Sequence, residues 1–233
     1  MVFTAPPSMA RRFRQNLGLI LGFAAGALIL LVLLLPGEET LHARGPMNSG
    51  HDDIACEHCH LPAPGTLRQQ LQANVRHLLG MRATVADFGL LQAGNGECLA
   101  CHDFPEERHP VFRFFEPRFQ KARDALHPEA CVSCHLEHRG VRVTLDGIDY
   151  CRHCHEDTKL KNDPLDVSHA SLIKAEKWDS CLGCHDFHGN HLMTVHEQLR
   201  DAIPPAQILA YFRGGASPYS REKRFAARRE PLR

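Results

Sequence analysis

The sequence predicts a mainly α-helical and irregular domain with little strand, preceded by one N-terminal transmembrane helix. Three observations predict it. All ten cysteines fall in five Cys-x-x-Cys-His motifs, and an uncharged apolar stretch runs from Leu17 to Leu35. The remainder, rich in Pro, Gly, His and charge, shows no long alternating apolar run of the kind a half-buried sheet requires.

The N-terminal stretch follows Arg11, Arg12 and Arg14 and is closed by Pro36. At ~1.5 Å per residue it reaches about 28 Å, close to the hydrocarbon thickness of a bilayer. A cleaved secretory signal would have a shorter apolar region and a small-x-small site, and Gly-Glu-Glu-Thr-Leu-His-Ala-Arg after Pro36 offers no good one. The expected organisation is a cytoplasmic N-terminus at 1–16, held inside by the arginines, an anchor at 17–36, an exported domain at 37–200 and a basic tail at 201–233. The anchor then sits in a bacterial inner membrane, with the exported domain on the periplasmic side. Arg213, Arg221, Lys223, Arg224, Arg228, Arg229 and Arg233 make the tail basic. It reads as a solvated terminus rather than a contact for anionic lipid or an acidic partner.

The motifs are Cys56/Cys59/His60, Cys98/Cys101/His102, Cys131/Cys134/His135, Cys151/Cys154/His155 and Cys181/Cys184/His185. Two intervening residues let one turn of chain offer both thiols to one porphyrin edge, and the next residue falls beneath the metal. That is the attachment signature of haem c, with the histidine as proximal iron ligand. Structural zinc usually needs two Cys-x-x-Cys knuckles; five leave a remainder, and zinc does not explain a histidine after every second cysteine. Disulfides across two residues would close small loops of little entropic benefit. Five covalently bound haem c groups are expected.

About 200 exported residues then hold five macrocycles, roughly 40 each, so the polypeptide's own core is modest. The first cysteines of successive motifs lie 42, 33, 20 and 30 residues apart, which predicts the third and fourth sites as the tightest pair. Within the longest gap, Thr66-Leu-Arg-Gln69 is a capping box. It opens a helix with Leu67, Leu71, Val75, Leu78 and Leu79 at helical spacing, ending near Gly80. Pro117 starts a short helix through Ala125, before His127-Pro128, and a third is expected from Thr194 to Ile203. Val111, Phe112, Phe114, Phe115 and Phe119 form an aromatic cluster that reads as core filling against a haem face rather than a substrate pocket.

Formal charge balances at 27 basic against 27 acidic residues. The two propionates on each haem would add up to about ten negative charges, which argues against nucleic acid as a partner.

Seventeen histidines less the five in the motifs leave twelve, and methionine beyond the anchor is confined to Met47, Met81 and Met193. Ligation by two histidines is therefore the default, which favours low-spin electron transfer over substrate binding. The segments Cys131-Val-Ser-Cys-His-Leu-Glu-His138-Arg-Gly and Cys181-Leu-Gly-Cys-His-Asp-Phe-His188-Gly resemble the compact multihaem cytochromes of class III. There, a histidine three positions after the proximal one commonly serves a neighbouring haem. The resemblance spans most of 50–191 as a pattern of motifs and implies a compact, haem-dense, strand-poor multihaem cytochrome c domain. It makes His138 and His188 the leading distal ligands; His51, His127 and His169 also match, and His109 in Arg-His-Pro is a further candidate. Six names compete for five places. His58 and His153 lie inside motifs and read as exposed, His77 as an ordinary helix residue, His191 as a competitor of His188, and His42 and His196 as surface residues.

An anchor followed by exported haems also resembles, in architecture, the membrane-tethered quinol dehydrogenases of nitrate and nitrite respiration, which carry four haems where this chain has five motifs. Three function classes follow. The leading one is an iron-containing electron-transport subunit, relaying electrons between a membrane donor, quinol or a membrane redox complex, and a periplasmic electron-transfer protein. The alternative is a reductase or oxidase with one open haem site, for which no Cys-x-x-Cys-Lys variant is present. The third, a redox-sensing subunit, lacks an attached signalling domain. No catalytic residue is assigned.

Overall fold

The computed structural model describes residues 9–33, 43–193 and 196–228. The chain divides into two units, Met1–Pro46 and Met47–Arg233. In the first, helix α1 spans Met9–Leu33. It begins ahead of the apolar stretch because Met, Ala, Arg and Gln at its start are strong helix formers. Met9–Val32, which contains an 18-residue window of mean hydropathy 2.0, is long and apolar enough to cross a membrane, a test that a secretory signal near the N-terminus also passes. The expected end of the anchor at Leu35 and Pro36, with His42, Arg229 and Arg233, lies outside the described residues.

The second unit is helices and loops, with no strand among the described residues; its ladder contacts are the isolated antiparallel bridges Pro62–Leu90 and His191–Lys223. Helix α2, Leu67–Leu78, starts on the expected capping box: the Thr66 side chain accepts from Gln69 N–H, and the Gln69 side chain accepts from Thr66 N–H. Gly80, at φ +72, turns the chain away just after it. Helix α3 is Asn95–His102. A 3-10 turn at Pro117–Phe119 runs into α4, Gln120–Leu126. It starts on Pro117 as the sequence predicts and ends in His127 at φ 49, whose N–H reaches the Arg123 carbonyl. Helices α5, Arg152–His155, and α6, His169–Lys174, are short, α6 being capped by the Ser168 hydroxyl. Helix α7 is Pro205–Phe212.

Helix α7 overturns two expectations. The segment read as a solvated tail supplies the most deeply buried side chain, Ile208. Ile208 and Phe212 form the core cluster with Ile148 and Leu182, and Val143, Tyr150, Ile203 and Tyr219 pack against it. Further along, Arg228 N–H binds the Cys101 carbonyl, and Phe225 stacks on Phe104. Counting basic residues hid the proline start and the apolar Ile208, Leu209, Tyr211 and Phe212 that follow it. Nor does a helix occupy Thr194–Ile203. Thr194 and Val195 lie outside the described residues, and the rest holds a 3-10 turn, Leu199–Asp201, followed by extended Ala202. Pro204 and Pro205 drive their predecessors out of the helical region, so the helix forms after them.

The 3-10 segment Trp178–Gly183, carrying the start of the fifth motif, lies against α7. A Cβ on Gly183 would stand 2.6 Å from the Ile203 carbonyl, so glycine there permits the close approach. Phe114 is buried and meets Phe119 edge-on at 5.7 Å, whereas Phe112 and Phe115 are exposed. The expected aromatic cluster is therefore only partly a core.

Candidate functional site

Each Cys-x-x-Cys-His motif forms a helical turn. The histidine N–H binds the first cysteine's carbonyl at His60–Cys56 (2.8 Å), His135–Cys131 (2.9 Å), His155–Cys151 (3.0 Å) and His185–Cys181 (2.9 Å). The second motif lies within α3. All ten cysteines are free thiols, Cys56 and Cys154 exposed and the others half-buried.

The fold brings every motif histidine to a second histidine from elsewhere in the chain. Ring centres are 6.1 Å apart for His60 and His138, 6.1 Å for His102 and His51, 5.9 Å for His135 and His188, 6.0 Å for His155 and His109, and 6.2 Å for His185 and His169. The partners of the first and third motifs follow the third and fifth, so the pairs lace the unit together. His127, the sixth candidate, is 69% exposed in its side chain and lies near Glu129, 3.3 Å away. It closes α4 and joins none of the five pairs.

Six of these rings make short Nδ1 hydrogen bonds. His60 donates to the Leu91 carbonyl (2.9 Å), His109 to Phe187 (2.5 Å) and His135 to Arg142 (2.6 Å). Three partner histidines meet carboxylates instead: His51 at Glu137 (2.9 Å), His169 at Asp163 (2.9 Å) and His188 at Glu107 (2.5 Å). Such contacts fix ring orientation and leave Nε2 as the nitrogen for ligation.

Asn48 is the buried device that places two of the pairs. Its amide donates to the Leu136 carbonyl, its side-chain oxygen accepts from Arg139 N–H, and its own N–H binds Glu137. Glu137 in turn holds His51. His138, between Glu137 and Arg139, has φ 63, a costly conformation for histidine. The Asn48 bonds hold the loop in which it occurs.

Burial pushes His102, His109, His135 and His185 below the usual histidine range. His102, His135 and His185 nevertheless have solvent-accessible rings, which is how residues on the walls of open clefts behave. One cleft of about 200 Å³ is lined by His169, His185 and Cys184 together with Arg108, Arg224 and Asp186. His196, expected at the surface, is half-buried in the same wall. Among the described residues, no three His, Cys, Asp or Glu side chains are grouped to hold a bare metal ion.

Thiols of different motifs touch. Cys98 donates to Cys131, which raises the Cys98 pKa and lowers that of Cys131; Cys151 donates to Cys181, raising its own pKa and bringing Cys181 to about 7. The thiol contacts thus join motifs two with three and four with five.

The other histidines have different work. His191 donates to Asp186 (2.9 Å) and stacks on Tyr219 at 4.7 Å. Burial raises the Asp186 pKa, but the bonds from His191 prevail and hold it at about 2. His77 donates to the Arg82 carbonyl, exposed His58 lies beside Ala55, and His153 is half-buried rather than exposed. Asn48, Glu107, Glu137 and Asp163 were not singled out by sequence reasoning; the only cue was Glu137 beside His138. Comparison with known proteins finds no match among family models, curated proteins or solved structures.

Proposed function

We propose that this chain is a membrane-anchored pentahaem c-type cytochrome that relays electrons between a membrane donor, quinol or a membrane redox complex, and a periplasmic electron-transfer protein. The observation that carries the reading is the set of five histidine pairs. A ring nitrogen ligates a first-row metal at ~2 Å, so two imidazoles on opposite faces of one iron have centres about 6 Å apart. All five pairs have that spacing, between 5.9 and 6.2 Å. A haem iron would take two ligands from the protein, which each histidine pair would supply.

Each haem, when bound, supplies a one-electron iron couple tuned by its axial ligands and their hydrogen bonds. The ten motif cysteines would tether the five groups. His60 with His138, His102 with His51, His135 with His188, His155 with His109 and His185 with His169 would hold the irons. Arg108 and Arg224 supply positive charge at the fifth site, where a propionate needs it. The contacts Cys98–Cys131 and Cys151–Cys181 draw attachment edges together, as a relay requires. An enzyme reading needs a motif histidine without a partner, and each of the five has one. The apolar α1 supports attachment to the membrane, with the haem unit on the periplasmic side.

Intact mass tests the loading. The purified protein is expected to exceed the polypeptide mass by five haem units, to retain α1 and, when reduced, to leave carbon monoxide unbound. Fewer units or bound zinc would refute the cofactor assignment. A mature N-terminus beyond Pro36 would refute the anchor, and one full equivalent of bound carbon monoxide would favour a reductase.

A further inference from the structure

Helix α2 turns its polar side inward. Gln70, 4% exposed, donates to the carbonyls of Ala63 (2.9 Å) and Gly65 (3.1 Å) and accepts from Gly89 N–H (2.9 Å). One turn later Asn74 exchanges two hydrogen bonds with Ala86, and His77 then donates to Arg82. Residues 70, 74 and 77 make one helical stripe, and it faces the flanking segments 63–65 and 82–89. A second stripe, about a quarter turn round the helix, is Leu67, Leu71, Val75 and Leu78, which are 63%, 57%, 46% and 86% exposed. Exposed Leu79, Met81, Val85, Phe88 and Leu90 extend the apolar surface along the following loop. Scattered exposed apolar side chains need no explanation; a contiguous helix face with its loop does. The side-chain bonds to backbone groups prevent the helix from simply rolling this face inward.

We propose that α2 and the loop through Leu90 lie in the interface of an anionic phospholipid bilayer, with the leucines at the acyl boundary and the arginines among the phosphates. Charge selects this occupant. Between Leu67 and Leu90 the charged residues are Arg68, Arg76 and Arg82 against the one acid Asp87, an excess of two positive charges. A basic amphipathic helix with an open apolar face is the form that seats on anionic lipid. The inference rests on the anchored reading in one respect: α1 keeps lipid at high effective concentration, so shallow insertion persists without strong affinity of its own.

The haem-loaded full chain in phosphatidylcholine nanodiscs, with or without phosphatidylglycerol and doped with a phospholipid bearing an acyl-chain diazirine, tests this directly. After irradiation, peptides covering 67–90 are expected to carry lipid adducts in addition to those of 9–33, several-fold more with phosphatidylglycerol. The triple variant Leu71→Gln/Leu78→Gln/Leu79→Gln should lose the 67–90 adducts, and Arg68→Gln/Arg76→Gln/Arg82→Gln should lose the preference for phosphatidylglycerol. An unchanged Soret spectrum and intact mass would show that both variants remain folded and loaded. Adducts at 9–33 with none at 67–90, adducts at 67–90 indifferent to lipid charge, or crosslinks from 67–90 to a second copy or another protein would overturn the proposal. Adducts at 67–90 without any at 9–33 would support the interfacial helix while refuting the anchor.

Discussion

In α7 the apolar residues Ile208 and Phe212 are buried against Ile148 and Leu182, whereas in α2 the apolar residues are open and Gln70 is the buried one. Both helices have an apolar face at helical spacing. The difference lies in what faces each of them. Helix α7 meets Leu182 of the fifth motif's turn and Ile148, so burial of hydrocarbon drives it down. Helix α2 meets the backbone of residues 63–65 and 82–89, whose N–H and C=O groups need hydrogen-bond partners. An amphipathic pattern fixes the period of a helix; the neighbour decides which side goes inward.

The largest expected effect separates these two faces. Ile208→Ala should destabilise the loaded protein by about 2–5 kcal/mol, as deletion of a fully buried aliphatic side chain does. The chemically similar Leu78→Ala, in detergent, should stay within ~0.5 kcal/mol. Urea unfolding followed by far-UV circular dichroism measures both. Comparable losses would show that the α2 face is covered in solution.

Polar burial gives the next effect. Asn48→Ala removes the bonds that hold Leu136, Glu137 and Arg139 and leaves buried groups unpaired, for an expected cost of about 1–3 kcal/mol. Because Glu137 holds His51 and the loop carries His138, the same variant should alter the spectra of two irons. A stability loss with all five irons unchanged would reduce Asn48 to a structural residue.

A smaller effect distinguishes sites by their second partner. His51, His169 and His188 donate Nδ1 to carboxylates, while His60, His109 and His135 donate to backbone carbonyls. A carboxylate makes the imidazole a stronger donor to the metal. Glu107→Gln should therefore raise the potential of one haem by tens of millivolts and leave the others in place, as read by spectroelectrochemical titration. An unchanged set of five potentials would contradict that role.

Much of the architecture was legible because its signals are local. The Thr66–Gln69 capping box, the Gly80 turn and the Pro117 start each depend on a few adjacent residues, and the helices stand where these place them. The long-range choices were not legible. Nothing near His127 in sequence separates it from His51, since both precede an attachment motif. Only the fold carries His51 to His102 and leaves His127 at the end of α4. The thiol contacts likewise depend on how α3 and the Trp178–Gly183 turn are carried to their neighbours, which spacing along the chain does not show. The α7 core helix was missed because seven basic residues between Arg213 and Arg233 outweighed four apolar ones before them.

The central claim is that five particular histidine pairs each hold one iron, and electron paramagnetic resonance of the fully oxidised protein tests it most directly. The native spectrum should be wholly low-spin. His138→Ala and His188→Ala should each convert one iron in five to high spin without loss of haem mass, and His127→Ala should convert none. High-spin iron in the native protein, a high-spin signal from His127→Ala, or unchanged spectra for His138→Ala and His188→Ala would contradict the pairing.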